Sequence, residues 1–461
     1  MTGAPAVGLI RFTTGAVILS SIAAPIVHAQ EADRAVRSAF ISSDLEFNDN
    51  YDLRRDSLGN ALLWTTTLGF GLSTFTPVDR LDLSAEGSVR AADLPSRDDD
   101  VSADNPIVRL DYDRTIDDNN IRFGFVAQQA DVDFFDPLSD VDSDGRFDDT
   151  TGGGTRRSLR ANAGFDFNED GPVSLGAYAR AFDIDYTDNT DPDVYDRQSF
   201  TGGAEIGFRL SQTLRFTTGG EYRREQYEDS DNLDRETRRA DVGIDASINP
   251  ALSMRGRLGY SRVESNRDSG TTIEEGVVGD LSLISLDKRG ETRVGGFVDV
   301  DENGQRFTFS VGKLVNWDNA SLDADLGVST NEDTDLRFVG NIDYTLQGRD
   351  NELSLGLRQS ASTDEDGRNV LYTSGRVNFI QLLTDVSSLG LAVDGGLTRY
   401  EDGASDDSDR LNVTAQYNHA LTQDWNMNMG YRYRQANSDS NGFRESNAVF
   451  VGVSRDFLSA R

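Results

Sequence analysis

The feature that most constrains this chain is a two-residue hydrophobic period that recurs from residue 39 almost to the C-terminus. In "LLWTTTLGFGLSTF" the residues Trp64, Leu68, Phe70 and Leu72 alternate with Thr65, Thr67, Gly69, Gly71 and Ser73. Successive side chains of a strand point to opposite faces, so the run has one greasy face and one small, polar face. "RLDLSAEGSVR" repeats the pattern, with Leu81, Leu83, Ala85 and Val89 set against Asp82, Glu86 and Arg90. Between Ala39 and Phe457 about 22 runs of this kind follow one another, each closed by a turn, and 18–22 strands fit the pattern. No convincing helical period follows the first thirty residues. The chain reads as all-β.

The connectors alternate in kind. One set is short: "TPVD", "IDDNN", "NEDGP", "SQT", "NPA", "GRDN" and "TQD". The other is longer and acidic, as in "ADLPSRDDDVSADN", "DIDYTDNTDPDVYDR" and "EDGASDDSDR". A short, long, short, long order is expected when alternate hairpins face different compartments, as in bacterial outer-membrane barrels with short periplasmic turns and longer outer loops. A water-soluble sandwich is the rival. Its strands average ~5–6 residues, whereas tilted membrane strands need ~9–11, and these runs are of the longer kind. The expectation is a single transmembrane antiparallel β-barrel over residues 39–461, in the outer membrane of a Gram-negative bacterium.

The N-terminus agrees with that address. "MTGAPAVGLIRFTTGAVILSSIAAPIVHAQ" carries one Arg11, an apolar run and a Val27-His28-Ala29 ending, which predicts a signal peptide over residues 1–29. Residues 30–38 are then a short periplasmic segment. The chain has no cysteine, so thiol catalysis, thiolate metal sites and disulfides are excluded together. With His28 in the leader, His419 is the single imidazole left, and it lies beside a short turn without a serine nucleophile motif. No enzymatic activity is expected. A net charge of −34 argues against nucleic acid as a partner.

A barrel of about 22 strands encloses more space than side chains alone can fill, so it conducts or is plugged. Strands begin too early for a globular plug to precede them, and a pore for passive passage of polar solutes is the expectation. The alternation places Arg122, Arg160, Arg215, Arg255, Arg257, Arg337, Arg432 and Arg434 on the lumen face, among acids that include Asp82, Glu86, Glu205, Glu221, Asp245, Asp280 and Asp343. Such arginines either guide anionic solutes or pair with acids on neighbouring strands and hold the wall. The alternative function is a non-conducting structural barrel whose acidic outer loops bridge surface lipid or partners through divalent cations. Outer-membrane lipid, lipopolysaccharide and the barrel assembly machinery are the expected partners.

"NAVFVGVSRDF" places Val449, Val451, Val453 and Phe457 on one face, with Gly452 five residues before the aromatic. It resembles the terminal-strand signal by which outer-membrane barrels are recognised for assembly. Arg455 departs from that signal, and "LSAR" follows the aromatic. The opening "ISSDLEFNDNYDLRRDSLGNALLWTTTLGFGLSTFTPVDRLDLSAEGSVR" resembles the outer-membrane β-barrel porin family associated with exopolysaccharide operons. The resemblance implies an outer-membrane pore, with export of a polysaccharide as its specialised role, and carries over no catalytic residue.

"DVDSDGRFDD" begins like a calcium loop. Asp140, Asp142, Asp144, the Gly145 turn, the Arg146 carbonyl and Asp148 fall at positions one, three, five, six, seven and nine. Position twelve is Thr151 instead of a bidentate glutamate, and no helices flank the loop. "DVDENG" and "TDEDG" recur elsewhere, which fits Asp and Gly as general loop residues. No cofactor is required, and any Ca2+ held by this outer loop would bind in the weak ~10⁻⁴–10⁻³ M range.

Overall fold

The period-2 runs form 22 antiparallel strands in one sheet, from β1 (Arg34–Asn48) to β22 (Gly442–Ala460). Each strand pairs with the next, and β22 pairs back on β1 from Val36↔Ala460 to Asn48↔Ala448, so the sheet closes on itself. The computed structural model describes residues 34–95, 100–131, 154–188, 195–229, 231–332, 334–364, 367–400, 407–439 and 442–460. Among these residues every element is a strand of the one sheet. With ~4.8 Å between strands and a ~40° tilt, 22 strands give a backbone radius of roughly 22 Å.

The wall starts at Arg34, inside the segment expected to precede it. The backbone of residues 34–38 is held on both sides, by β2 (Ala61–Phe75) and by the end of β22, and this pairing does not depend on hydrophobic alternation. Strands run from 11 to 19 residues, long enough to cross hydrocarbon at a tilt.

Burial is inverted relative to a soluble protein. Leu68, Leu210, Leu258, Leu326 and Val449 are more than half exposed, while Arg90, Thr217, Ser261, Arg410 and Ser446 are buried. Moving a large apolar side chain out of water is worth ~1.5–3 kcal/mol, and dozens of them point outward, so the outer surface is made for lipid. Aromatic residues gather near its two edges. Phe47, Trp64, Phe200 and Phe443 lie toward one end, and Phe75, Phe167, Phe208, Trp317, Trp425 and Phe457 toward the other. These are the two girdles of a transmembrane barrel.

The short connectors share one end with Arg34 and Ala460, which is the periplasmic end. At the outer end the long-loop rule fails three times: β22 begins at Gly442, directly after the short connector that follows β21 (Trp425–Ser438), and two further hairpins are tighter still. β11 (Leu252–Arg267) joins β12 (Gly270–Asp287) through residues 268–269, and β13 (Gly290–Asp301) joins β14 (Gly304–Asn316) through residues 302–303. "DVDENG" is therefore a tight hairpin with Gly304 at φ +89°, not a long loop.

Arg455, the departure from the terminal-strand pattern, lies on the lipid side at the periplasmic edge. Its guanidinium stands over the rings of Trp425 and Phe457, 5.5 and 4.7 Å from their centroids. His419 is on the same edge, stacked on Tyr417.

Candidate functional site

The lumen wall is built where glycine and long charged side chains meet. Glu205 on β8 (Arg197–Ser211) accepts from Arg215 of β9 (Leu214–Tyr227), with the charged atoms 3.5 Å apart, and from Arg257 of β11 at 2.9 Å. Arg257 crosses β9 and β10 (Asp234–Asn249) to do so, over the inward positions Gly219 and Gly243. A Cβ at Gly243 would come 3.1 Å from Cγ of Arg257. Gly243 is thus a seat for an arginine stem. The same device recurs where Arg293 of β13 reaches Asp325 of β15 (Ala320–Thr330) at 2.7 Å, across Gly312 of β14.

The arginines read from the sequence sit on this inner face. Arg122 pairs with Asp166, Arg255 with Asp245 at 2.7 Å, and Arg432 with Glu46 at 3.4 Å. Arg434 donates to the Tyr51 carbonyl at 2.8 Å, and Arg160 stacks on Phe182, 5.1 Å from the ring centroid. Arg337 stands at the outer end of β16 (Arg337–Gln347). They do not converge on one point. Most are used in cross-strand pairs that hold the wall, whereas Arg358 on β17 (Asn351–Thr363) is exposed and enters no ion pair among the described residues. Asp140, Asp142, Asp144 and Asp148 lie outside the described residues, as do residues 1–29.

The outer end contains a feature that alternation did not disclose. Pairing of β12 with β13 stops at Gly279↔Val298, although β12 continues to Gly270, and pairing of β16 with β17 stops at Gly340↔Gln359. Between these two seams the β13–β14 tip leans into the lumen. Val300 and Gln305 belong by parity to the lipid-facing series of Val294, Phe307 and Phe309. They lie instead against the inner face of β11 and β12. Val300 is buried with Val263 and Val278, and Gln305 Nε2 donates to the Val277 carbonyl at 2.8 Å, beside Gly276.

Two sets of polar contacts hold the tip. Glu302, 4% exposed, accepts from Arg267 Nη2 at 2.8 Å, from Ser265 Oγ at 3.2 Å and from Arg235. On the other side Arg306 donates to Thr363 Oγ1 and to Asn369 Oδ1, both at 3.0 Å, Thr363 donates to Asp301 at 2.9 Å, and Asn303 donates to the Gly367 carbonyl at 2.7 Å. The tip is thus packed between the inner face of β11–β12 and the outer end of β17 and β18 (Asn369–Thr384). It pinches the mouth across a chord of the barrel.

No family model matches the sequence, and neither does any curated protein. Solved structures do. The FrpB iron transporter from Neisseria meningitidis is 10% identical, with 91% of this chain and 82% of that one covered and a TM-score of 0.53. The ferric-catecholate import receptor Fiu from E. coli K12, in its open form, is 11% identical, with 91% and 81% covered and a TM-score of 0.54. The siderophore receptor PirA from Acinetobacter baumannii is 9% identical, with 93% and 81% covered and a TM-score of 0.51. The fold is that of a large outer-membrane barrel. At these identities the likeness is one of architecture, and it agrees with the lipid-facing girdles in placing the chain in the outer membrane. The proteins named are transport receptors, not enzymes, and the narrower resemblance to exopolysaccharide-associated porins has no counterpart among them.

Proposed function

We propose that the barrel is a pore for the passive passage of polar solutes across the outer membrane. One observation carries this reading: every described element belongs to the wall of a 22-stranded cylinder whose inner face is rich in Arg, Asp, Glu, Asn, Ser, Thr and Gly. A lumen of that radius exceeds what its own side chains fill, and the tip of β13–β14 covers only one sector of it. Export of a polysaccharide is the specialised use that the N-terminal resemblance implies. Uptake of an iron chelate, the role named for the neighbouring receptors, is supported here by fold alone.

A non-conducting structural barrel is favoured by a different observation, the consumption of lumen arginines in wall ion pairs. Single-channel recording in planar bilayers separates the two. The pore reading expects stable ohmic steps from the folded full chain, and a folded barrel that inserts without conductance refutes it. Liposome swelling with sugars of graded size then reports the size limit.

A further inference from the structure

The inward tip of β13–β14 is neither a loop nor a lipid-facing wall, and its contacts are unlike those of the other hairpins. A side-chain face with lipid-facing parity is turned onto the lumen face of β11–β12. This leaves Val300 5% exposed in contact with Val263 and Val278. The single carboxylate of Glu302 gathers two guanidinium groups from strands that β13 does not pair with, Arg235 on β10 and Arg267 on β11. Glu302 is buried to 4% exposure while Arg235 and Arg267 retain 14% and 15%. The seam at Gly279↔Val298 releases the end of this segment from β12, while on the other side β14 stays paired with β15 as far as Phe307↔Thr330. On the β11–β12 side its inward position is therefore held by side chains, with no backbone ladder beyond Val298.

We propose that the β13–β14 tip is the strap that sets the size limit of the pore, and that Glu302 is the positioning residue that holds it across the mouth. The inference rests on the pore reading and names the element that would restrict passage through it. With Glu302 in place, its charge-assisted bonds to Arg235 and Arg267 and the valine contact keep the tip over the lumen. Without that carboxylate, the tip loses the acid that ties it to Arg235 and Arg267 on the inner wall, which favours release.

The chain has no cysteine, so a single thiol reports the tip. Full-length protein carrying Val300→Cys, folded in liposomes, should react slowly with a water-soluble maleimide. Adding Glu302→Gln should speed labelling roughly tenfold, the scale of losing one charge-assisted anchor. In bilayers Glu302→Gln should raise conductance about twofold, as expected if a segment leaves the lumen cross-section, and it should admit larger sugars in swelling assays. A Ser265→Cys/Glu302→Cys pair joined by a short thiol-reactive cross-linker should return conductance and size limit to the parental values. Equal labelling of Val300→Cys with and without Glu302→Gln overturns Glu302 as the anchor. Faster labelling with parental conductance and size limit overturns the strap as the restriction. A parent that never conducts refutes the pore reading and with it the size limit, while labelling still decides whether Glu302 holds the tip.

Discussion

Glu302 and Arg267 meet at 2.8 Å although β13, which leads into the turn carrying Glu302, is separated from β11 in the sheet by β12. That contact requires the hairpin end to lie across the inner wall. Arg235 shares the same carboxylate, so the anchor is graded: Arg267→Ala leaves Glu302 one guanidinium, whereas Glu302→Gln leaves none of the ion pairs. Labelling of a thiol at Val300 should therefore be slower in Arg267→Ala than in Glu302→Gln. Its rate should fall between those of the parent and of Glu302→Gln.

The lipid face and the lumen face of one strand should respond oppositely to charge. Leu258 of β11 is 61% exposed on the outside, six positions from the periplasmic end of its strand, and its neighbour Arg257 faces the lumen. Leu258→Arg should cost about 2–4 kcal/mol, the depth-dependent cost of a cation near the bilayer midplane, read by urea titration of folding into liposomes. Arg257→Leu should cost less than Leu258→Arg in the same titration, because the charge it removes, paired with Glu205 and beside Asp280, lies on a wetted face.

Gly69 should not tolerate a side chain. The Phe40 ring lies on the inner wall in the space a Cβ at Gly69 would occupy. Gly69→Ala should destabilise the barrel by roughly 1–3 kcal/mol through overpacking. Gly69→Ala combined with Phe40→Ala should lose less than the sum of the two single changes. Thermal loss of the folded band on unheated gels checks both.

Selectivity should hinge on arginines outside the wall pairs. Arg358 is exposed in the lumen, whereas Arg255 is neutralised by Asp245 at 2.7 Å. In a KCl gradient, Arg358→Glu should move the reversal potential toward cation preference with the barrel intact. Arg255→Glu places two acids together and should instead reduce folded yield. Equal shifts from both variants, at equal yield, would contradict the assignment of Arg255 to the wall.

Arg455 should be a tolerated irregularity rather than a weak point. Its position between Trp425 and Phe457 supplies cation–π contact of about 0.5–2 kcal/mol. Arg455→Leu should leave urea stability within about 1 kcal/mol, because lipid contact replaces the stacking. Arg455→Asp, which has neither, should lower it further.

Strand number and the two faces of each strand were legible in the chain, because lipid and lumen environments are written directly into alternate side chains. Trp64 and Thr65 disclose their faces without knowledge of any partner. Strand ends were less legible. Arg34–Ser38 and Ser459–Ala460 are held in the sheet by backbone pairing at the closure, which leaves no hydrophobic period to read. The tight outer hairpins broke the loop-length rule, since "DVDENG" has the composition of the longer loops around it.

The closed membrane cylinder is written in the chain, since a two-residue period sustained over so many runs of this length suits a sheet with lipid on one face and water on the other. Which carboxylate reaches which guanidinium was decided by the tertiary structure alone. Val300 follows the same alternation as Val294 and Val298, yet it turns inward because pairing with β12 ends at Gly279↔Val298 and Glu302 finds Arg235 and Arg267 on strands distant in sequence. Local periodicity specifies the face of a residue relative to its own strand. Only the path of the closed sheet specifies what that face meets.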